Sequence, residues 1–244
     1  MAFAHLHVHT EYSLLDGSNK IKEYVKRVKE LGMTAAAITD HGAMYGVIDF
    51  YRAARAEGIN PILGCEVYVA PNSRFDREIT GGDDRYYHLV LLAENNTGYA
   101  NLSKIVSRGF TEGYYYKLRV DMEVLEEFHE GIIALSACLA GEVPRYIQKG
   151  LPEEAKKCAL KYQSIFGKDN YFGTAGSWDP GAADRKHGAF TDVARTGHSV
   201  SMHERRALHL CGGRKAPRYP SVYPDRQKAF RRKPDALRGR SVFR

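Results

Sequence analysis

The sequence contains no apolar run of the roughly 18 to 20 residues that a membrane-spanning helix requires. Nor does it open like a secretory leader, because His5, His7, His9 and Glu11 break up the first positions. Cysteine is scarce: Cys65, Cys138, Cys158 and Cys211 show no paired spacing. That argues against a disulfide framework and for a reducing, cytoplasmic setting, in which a special cysteine serves reactivity or metal binding. An excess of positive charge is missing from most of the chain as well. The net charge is +7, yet residues 1–172 carry 20 Lys and Arg against 23 Asp and Glu, and residues 173–244 carry 16 against 6. The basic balance belongs to the last 72 residues, so bulk charge says nothing of nucleic-acid binding by the rest.

What is present starts at His5-Leu6-His7-Val8-His9, followed by Thr10 to Gly17 with Asp16 among them. If residues 2–8 form a strand, alternation puts His5, His7 and His9 on one face. Three adjacent imidazoles repel one another when charged, whereas a metal ion keeps them neutral and gives each lone pair a partner. The other reading of the same residues is three hydrogen-bonded histidines on a half-exposed strand.

Downstream, residues 18–31 carry Ile21, Val25, Val28 and Leu31 at helical spacing, with Ser18 or Asn19 to cap the start and Gly32 the end. A short buried strand at 34–38 ends in Thr39-Asp40-His41-Gly42. A helix over 45–57 and a strand over 59–69 follow, the latter carrying Gly64-Cys65-Glu66. This alternation predicts a parallel sheet with right-handed crossovers. Residues 71–85 are polar and glycine-containing, which suits an exposed loop or hairpin tip. Beyond them the patterns predict a strand over 86–93 holding His88, a helix over 98–107 and an irregular stretch at Tyr114-Tyr115-Tyr116. A helix over 121–128 and a strand over 131–135 ending in Ser136-Ala137-Cys138 come next. Helices over 141–149 and 152–166 and a strand start at Asn170 to Phe172 complete the series.

Polar residues thus recur at strand ends: His7 and His9, Asp40 and His41, Glu66, His88, Cys138. In a parallel barrel those ends meet at one mouth. Nitrogen, oxygen and sulfur donors suit zinc, iron or manganese, and two or three such ions a few ångströms apart clamp a phosphate ester undergoing hydrolysis. Taken singly, His41 serves equally as a helix cap, His88 as a hydrogen-bonded core residue and Cys138 as a small buried apolar residue. Glu66 between Cys65 and Val67 is costly to bury unpaired. Asp40, Cys65 and His5 fit as supporting neighbours rather than ligands.

These strings resemble the PHP domain (polymerase and histidinol phosphatase), in particular that at the N-terminus of the bacterial replicative DNA polymerase III alpha subunit. The carriers are His5 to Gly17, Thr39 to Gly46, Gly64 to Tyr68, Tyr87 to Ala93 and Ser136 to Glu142. The resemblance runs from Phe3 to Phe172. It implies a distorted (β/α)7, TIM-like barrel with up to three divalent ions (zinc, manganese or iron) held by nine ligands. Seven have counterparts here: His7, His9, Asp16, His41, Glu66, His88 and Cys138. The other two, an Asp-x-His pair on a last barrel strand, have none, so the barrel is expected to be cut short. The family includes metal-dependent 3′–5′ exonucleases or phosphoesterases and purely structural members. The polymerase chemistry lies in later domains, whose catalytic aspartates have no counterpart here. The implied partners are DNA and the other polymerase III holoenzyme subunits, with no membrane. Two other readings stay open: a free-standing phosphatase of small phosphomonoesters of the histidinol phosphate kind, and a non-catalytic docking module.

The resemblance stops at Gly173. Residues 173–244 have no amphipathic period and, by composition, read as disordered. They suit either a basic nucleic-acid-binding arm or translation in a shifted frame. Permitted codons for this stretch, read one base out, spell a continuation of the family's domain, and those spanning His203 to Leu208 include the missing Asp-x-His pair. On that reading the chain is an incomplete PHP domain, weak or inactive as an enzyme.

Overall fold

The computed structural model describes residues 4–14, 16–78 and 85–172. Its strands are β1 (Ala35–Ile38), β2 (Asn60–Val69), β3 (Tyr87–Ala93), β4 (Tyr114–Tyr115), β5 (Lys117–Val120), β6 (Ile132–Leu135) and β7 (Tyr171–Phe172). Its helices are α1 (Ile21–Glu30), α2 (Val47–Ala56), α3 (Asn96–Thr111), α4 (Met122–Glu127), α5 (Glu142–Gln148) and α6 (Pro152–Phe166). None of the described helices is long and apolar enough to cross a membrane.

The helix starts show which local signals won. α1 begins at Ile21 behind Lys20, not at Ser18, because the Asn19 side chain donates instead to the His9 carbonyl at 2.9 Å. Its end is as expected, with Gly32 at φ 69°. Asn95 caps α3 by accepting from Gly98 N at 2.9 Å, and the helix runs on to Thr111, past the expected end at Ser107. Asp121 does the same for α4, accepting from Val124 N at 3.2 Å.

The sheet is mixed rather than parallel. β1 and β2 are parallel, joined over α2 as expected. β3, however, runs antiparallel to β2 and to β6, while β6–β7 and β2–β5 are parallel. The polar 71–85 segment has no apolar stripe in its sequence with which to cover the sheet, and β3 lies beside β2 in the opposite direction, a pairing that needs no crossover. The first expected strand is also irregular. Residues 4–9 carry bends at Leu6 and His7 and hold β1 through Ala37 N to His5 O (3.1 Å) and Thr39 N to Val8 O (2.9 Å). The tyrosine stretch expected to be irregular is a tight hairpin: Tyr115 pairs with Lys117, and Tyr116 alone turns the chain.

The sheet curls into a distorted, TIM-like barrel. Ala35, Ala37, Ile62, Val90, Leu92, Ile133 and Leu135 line its concave face, joined by Ala4 from the N-terminal segment and flanked by Phe172 of β7. The alternate residues, among them Val67, Leu89, Leu91 and Ala134, face outward onto α3 to α6. Val8, Ala36 and Ile38 meet α1 and α2. Each fully buried Leu or Ile contributes about 1.5–3 kcal/mol by leaving water.

The stretch expected to be an exposed loop is pinned at its start. Arg74 is buried, its backbone N–H donates to Asp121 at 2.9 Å, and its guanidinium pairs with Asp121, Glu112 and Glu123 at 2.7–2.9 Å. Burial opposes the charge of Arg74, but these carboxylates more than offset it and hold its pKa above the usual value.

Candidate metal centre

Glu66, near the C-terminal end of β2, is fully buried, and its carboxylate is the hub of the site. Its Oε2 lies 2.7 Å from His7 Nε2, 2.9 Å from His9 Nε2 and 3.5 Å from His41 Nδ1. His88 Nδ1 bonds the other oxygen, Oε1. Asp16 meets the far side of His41, Oδ2 to Nε2 at 2.9 Å. Cys138 hydrogen-bonds His88.

Backbone geometry delivers these groups. Gly42 N donates to Glu66 O at 2.8 Å and Glu66 N to Asp40 O at 3.0 Å, which fixes His41 beside Glu66. Gly42 sits at φ 61°, and a Cβ there would come 3.0 Å from the Tyr68 ring. Thr39 Oγ1 accepts from Val8 N at 2.8 Å and donates to Val8 O at 3.0 Å, tying down the histidine segment. Asp40 accepts from Thr10 N, Thr10 Oγ1 and Ser13 Oγ at 2.6–2.7 Å. Ala137, buried at φ 60°, turns the chain after β6 toward Cys138.

The electrostatics follow from this packing. Burial favours a protonated Glu66, but hydrogen bonds from His7, His88 and His9 overcome it and keep the carboxyl ionised far below the usual range. Burial likewise disfavours a charged His88, yet its bonds to Cys138 and Glu66 push its pKa up to about 9. His41 goes the other way: burial, with His9 beside it, lowers its pKa. His41 Nδ1 is buried without a hydrogen-bond partner.

Three donor sets, each within 4.8 Å, overlap here: His7, His9 and Glu66; His9, Asp16 and His41; His41, Glu66 and His88. Each set shares a member with the next. An orphaned imidazole nitrogen facing an ionised, desolvated carboxylate is an environment a divalent cation satisfies, and the donor set suits zinc, manganese or iron.

Six of the seven candidate ligands thus meet in the described structure, and Cys138 joins them through His88. Two expectations change. His88 lies at the start of β3, not at a strand's C-terminal end, because the antiparallel strand enters the mouth where the parallel ones leave it. His5 does not share the position of His7 and His9, since the bends at Leu6 and His7 break the alternation; burial lowers its pKa. Asp40 and Cys65 sit beside the site, the Cys65 thiol donating to Asp40 O at 3.3 Å. The sequence reading missed Thr10, Ser13 and Thr39, whose signal was their place within four residues of His9 or His41. It also missed Tyr68, two residues from Glu66 on the same face of β2. The basic or frame-shifted reading of 173–244, with its Asp-x-His pair, lies outside the described residues.

Fold and site define an α/β barrel whose mouth gathers imidazole, carboxylate and thiol donors around one buried glutamate. Residues 5–172 match the family described as the PHP domain, and the chain belongs to that family. It is 52% identical over 172 residues to the DNA polymerase III subunit alpha of Treponema pallidum, covering 70% of this chain and 15% of that protein. The same-named proteins of Helicobacter pylori and Deinococcus radiodurans are 48% identical over 181 residues and 49% identical over 177 residues, each alignment covering 70% of this chain. They are covered to 15% and 13% of their own length, so the chain spans about a seventh of the curated relatives it matches.

Proposed function

We propose that the described residues are the metal-binding PHP unit of a replicative DNA polymerase III alpha subunit, with phosphoester hydrolysis as its chemistry. The observation that carries this reading is the single buried carboxylate of Glu66 shared by overlapping donor sets. His7, His9, Asp16, His41, Glu66, His88 and Cys138 would hold the ions. When bound, divalent ions at such a site acidify water and neutralise phosphoryl oxygens. The chain's own residues do the positioning. Glu66 orients His7, His9 and His88, Asp16 orients His41, and Cys138 holds His88 from its other side by a hydrogen bond. The names of the relatives support a replication setting, and the same proposal takes in a cytoplasmic location with DNA and other polymerase III subunits as partners of the intact subunit.

The ligand set here lacks the family's Asp-x-His pair, so this chain binds ions weakly and turns over slowly. Metal content after dialysis against zinc or manganese, and release of nucleotides from a labelled DNA 3′ end, test both parts. Metal retained by the chain and lost in Glu66→Gln supports the site. Robust manganese-dependent degradation abolished by His9→Ala overturns the weak-activity reading. Reading the codons from Gly173 onward tests the shifted frame: codons with no in-family sense in either other frame make the tail a true basic arm.

A further inference from the structure

Tyr116 is held where a tyrosine ought not to be. It alone turns the chain between β4 and β5, at φ 60°, a left-handed conformation that suits glycine or asparagine. Its side chain is 65% exposed, so the strain gains no burial in return. Strain of this kind clusters at functional sites. The neighbours say which. Arg85 lies over the Tyr116 ring at 5.4 Å, and Tyr115 packs edge-on at 4.8 Å. The next residue, Lys117, places its Nζ 5.2 Å from the Tyr68 ring. Tyr68 in turn stacks 6.0 Å from His41 and lies 5.1 Å from His88. Arg85 is followed by Tyr86, whose ring stacks on His88 at 6.0 Å. Two separate segments therefore bring an exposed aromatic ring and two cations to the rim of the donor cluster, in a region (residues 1–172) whose net charge is negative.

We propose that Tyr116, Arg85 and Lys117 form a platform for single-stranded nucleic acid at the mouth of the metal centre. Tyr116 stacks on a base, and Arg85 and Lys117 take the flanking phosphates. Stacking on aromatic faces beside a cationic groove is how such strands are held without sequence preference. A small phosphomonoester has no use for the ring. The inference rests on the phosphoester reading above by naming its substrate, and it is tested by binding rather than turnover.

The full chain is titrated into 5′-fluorescein-labelled dT12 in EDTA, followed by anisotropy. Tyr116→Gly suits the left-handed φ, keeps the melting temperature and weakens binding about tenfold. Tyr116→Phe binds within twofold of wild type. Tyr116→Asn, which also tolerates that backbone, repeats the loss should the glycine variant melt early. Arg85→Gln and Lys117→Gln each weaken binding and reduce its salt slope by about one. A dT12 carrying abasic sites binds wild type as poorly as dT12 binds Tyr116→Gly. Equal binding by wild type and both Tyr116→Gly and Tyr116→Asn, or equal binding of the base-bearing and abasic strands, overturns the platform. Hydrolysis of bis(para-nitrophenyl) phosphate, a diester with no base, by metal-loaded wild type separates the two readings, slow turnover above the metal-free background counting as turnover. Turnover without base-dependent binding overturns the platform alone; base-dependent binding without turnover overturns the hydrolytic reading alone.

Discussion

The rings of His9 and His41 stack 4.0 Å apart at 13°. At that distance two imidazolium charges repel, and burial already lowers the pKa of His41. Neutral rings present lone pairs, so adding zinc or manganese at neutral pH stabilises the protein. At a free ion concentration of about 100 times the dissociation constant the gain is about 2.7 kcal/mol. That corresponds to a rise of roughly 5–10 °C in melting temperature for a chain of this size. Chelator reverses the rise, and Glu66→Gln removes it; an equal rise in Glu66→Gln contradicts the site.

Asp40 is the clamp under the histidine segment. It is buried and accepts three hydrogen bonds from Thr10 and Ser13. Asp40→Ala strands three donors at about 1–3 kcal/mol each, so urea unfolding shows a loss of about 3 kcal/mol or more. Metal affinity falls with it, because His9 precedes Thr10 directly. A loss below 1 kcal/mol refutes the clamp.

Ala137 tests the turn that aims Cys138. At φ 60° a glycine is at home and a β-branched residue is not. Ala137→Gly leaves the unfolding free energy within about 1 kcal/mol, relief of strain offsetting added freedom in the unfolded chain. Ala137→Val costs about 2 kcal/mol or more by the same measurement. Equal stability of the two variants counts against the turn.

The Arg74 cluster sets an acid limit. Hydrogen bonds from Arg74, and then Arg108, hold Glu112 below its ordinary carboxyl value of 4.5. A lowered folded-state pKa gives stability that is present above about pH 4.5 and lost as pH falls through the folded value. Melting temperature followed from pH 6 to pH 3 therefore drops less steeply in Glu112→Gln than in wild type. Parallel curves for the two proteins contradict the pairing.

Much of the site is legible from neighbours in the chain. His7 and His9, and Asp40 and His41, announce themselves because short polar strings follow short apolar ones. Glu66 does so because an acid inside Gly64 to Tyr68 has no cheap way to be buried. Arg74 and Tyr116 are not legible in this way. Arg74 sits in a polar stretch that looks solvated, and its burial depends on Asp121, 47 residues away. Tyr116 belongs to a run of three tyrosines that marks no turn, and its backbone conformation comes from the pairing of β4 with β5.

The sequence by itself determined the helices, the buried strand cores and the identity of the donor residues, because these depend on periodicity and side-chain chemistry within a few residues. Only the tertiary structure decided that β3 runs backward, that His88 enters the mouth from a strand's start, and that His5 stays apart from His7 and His9. Strand direction and register are settled by which surfaces can be covered and which backbone groups can be paired, and those partners lie tens of residues apart.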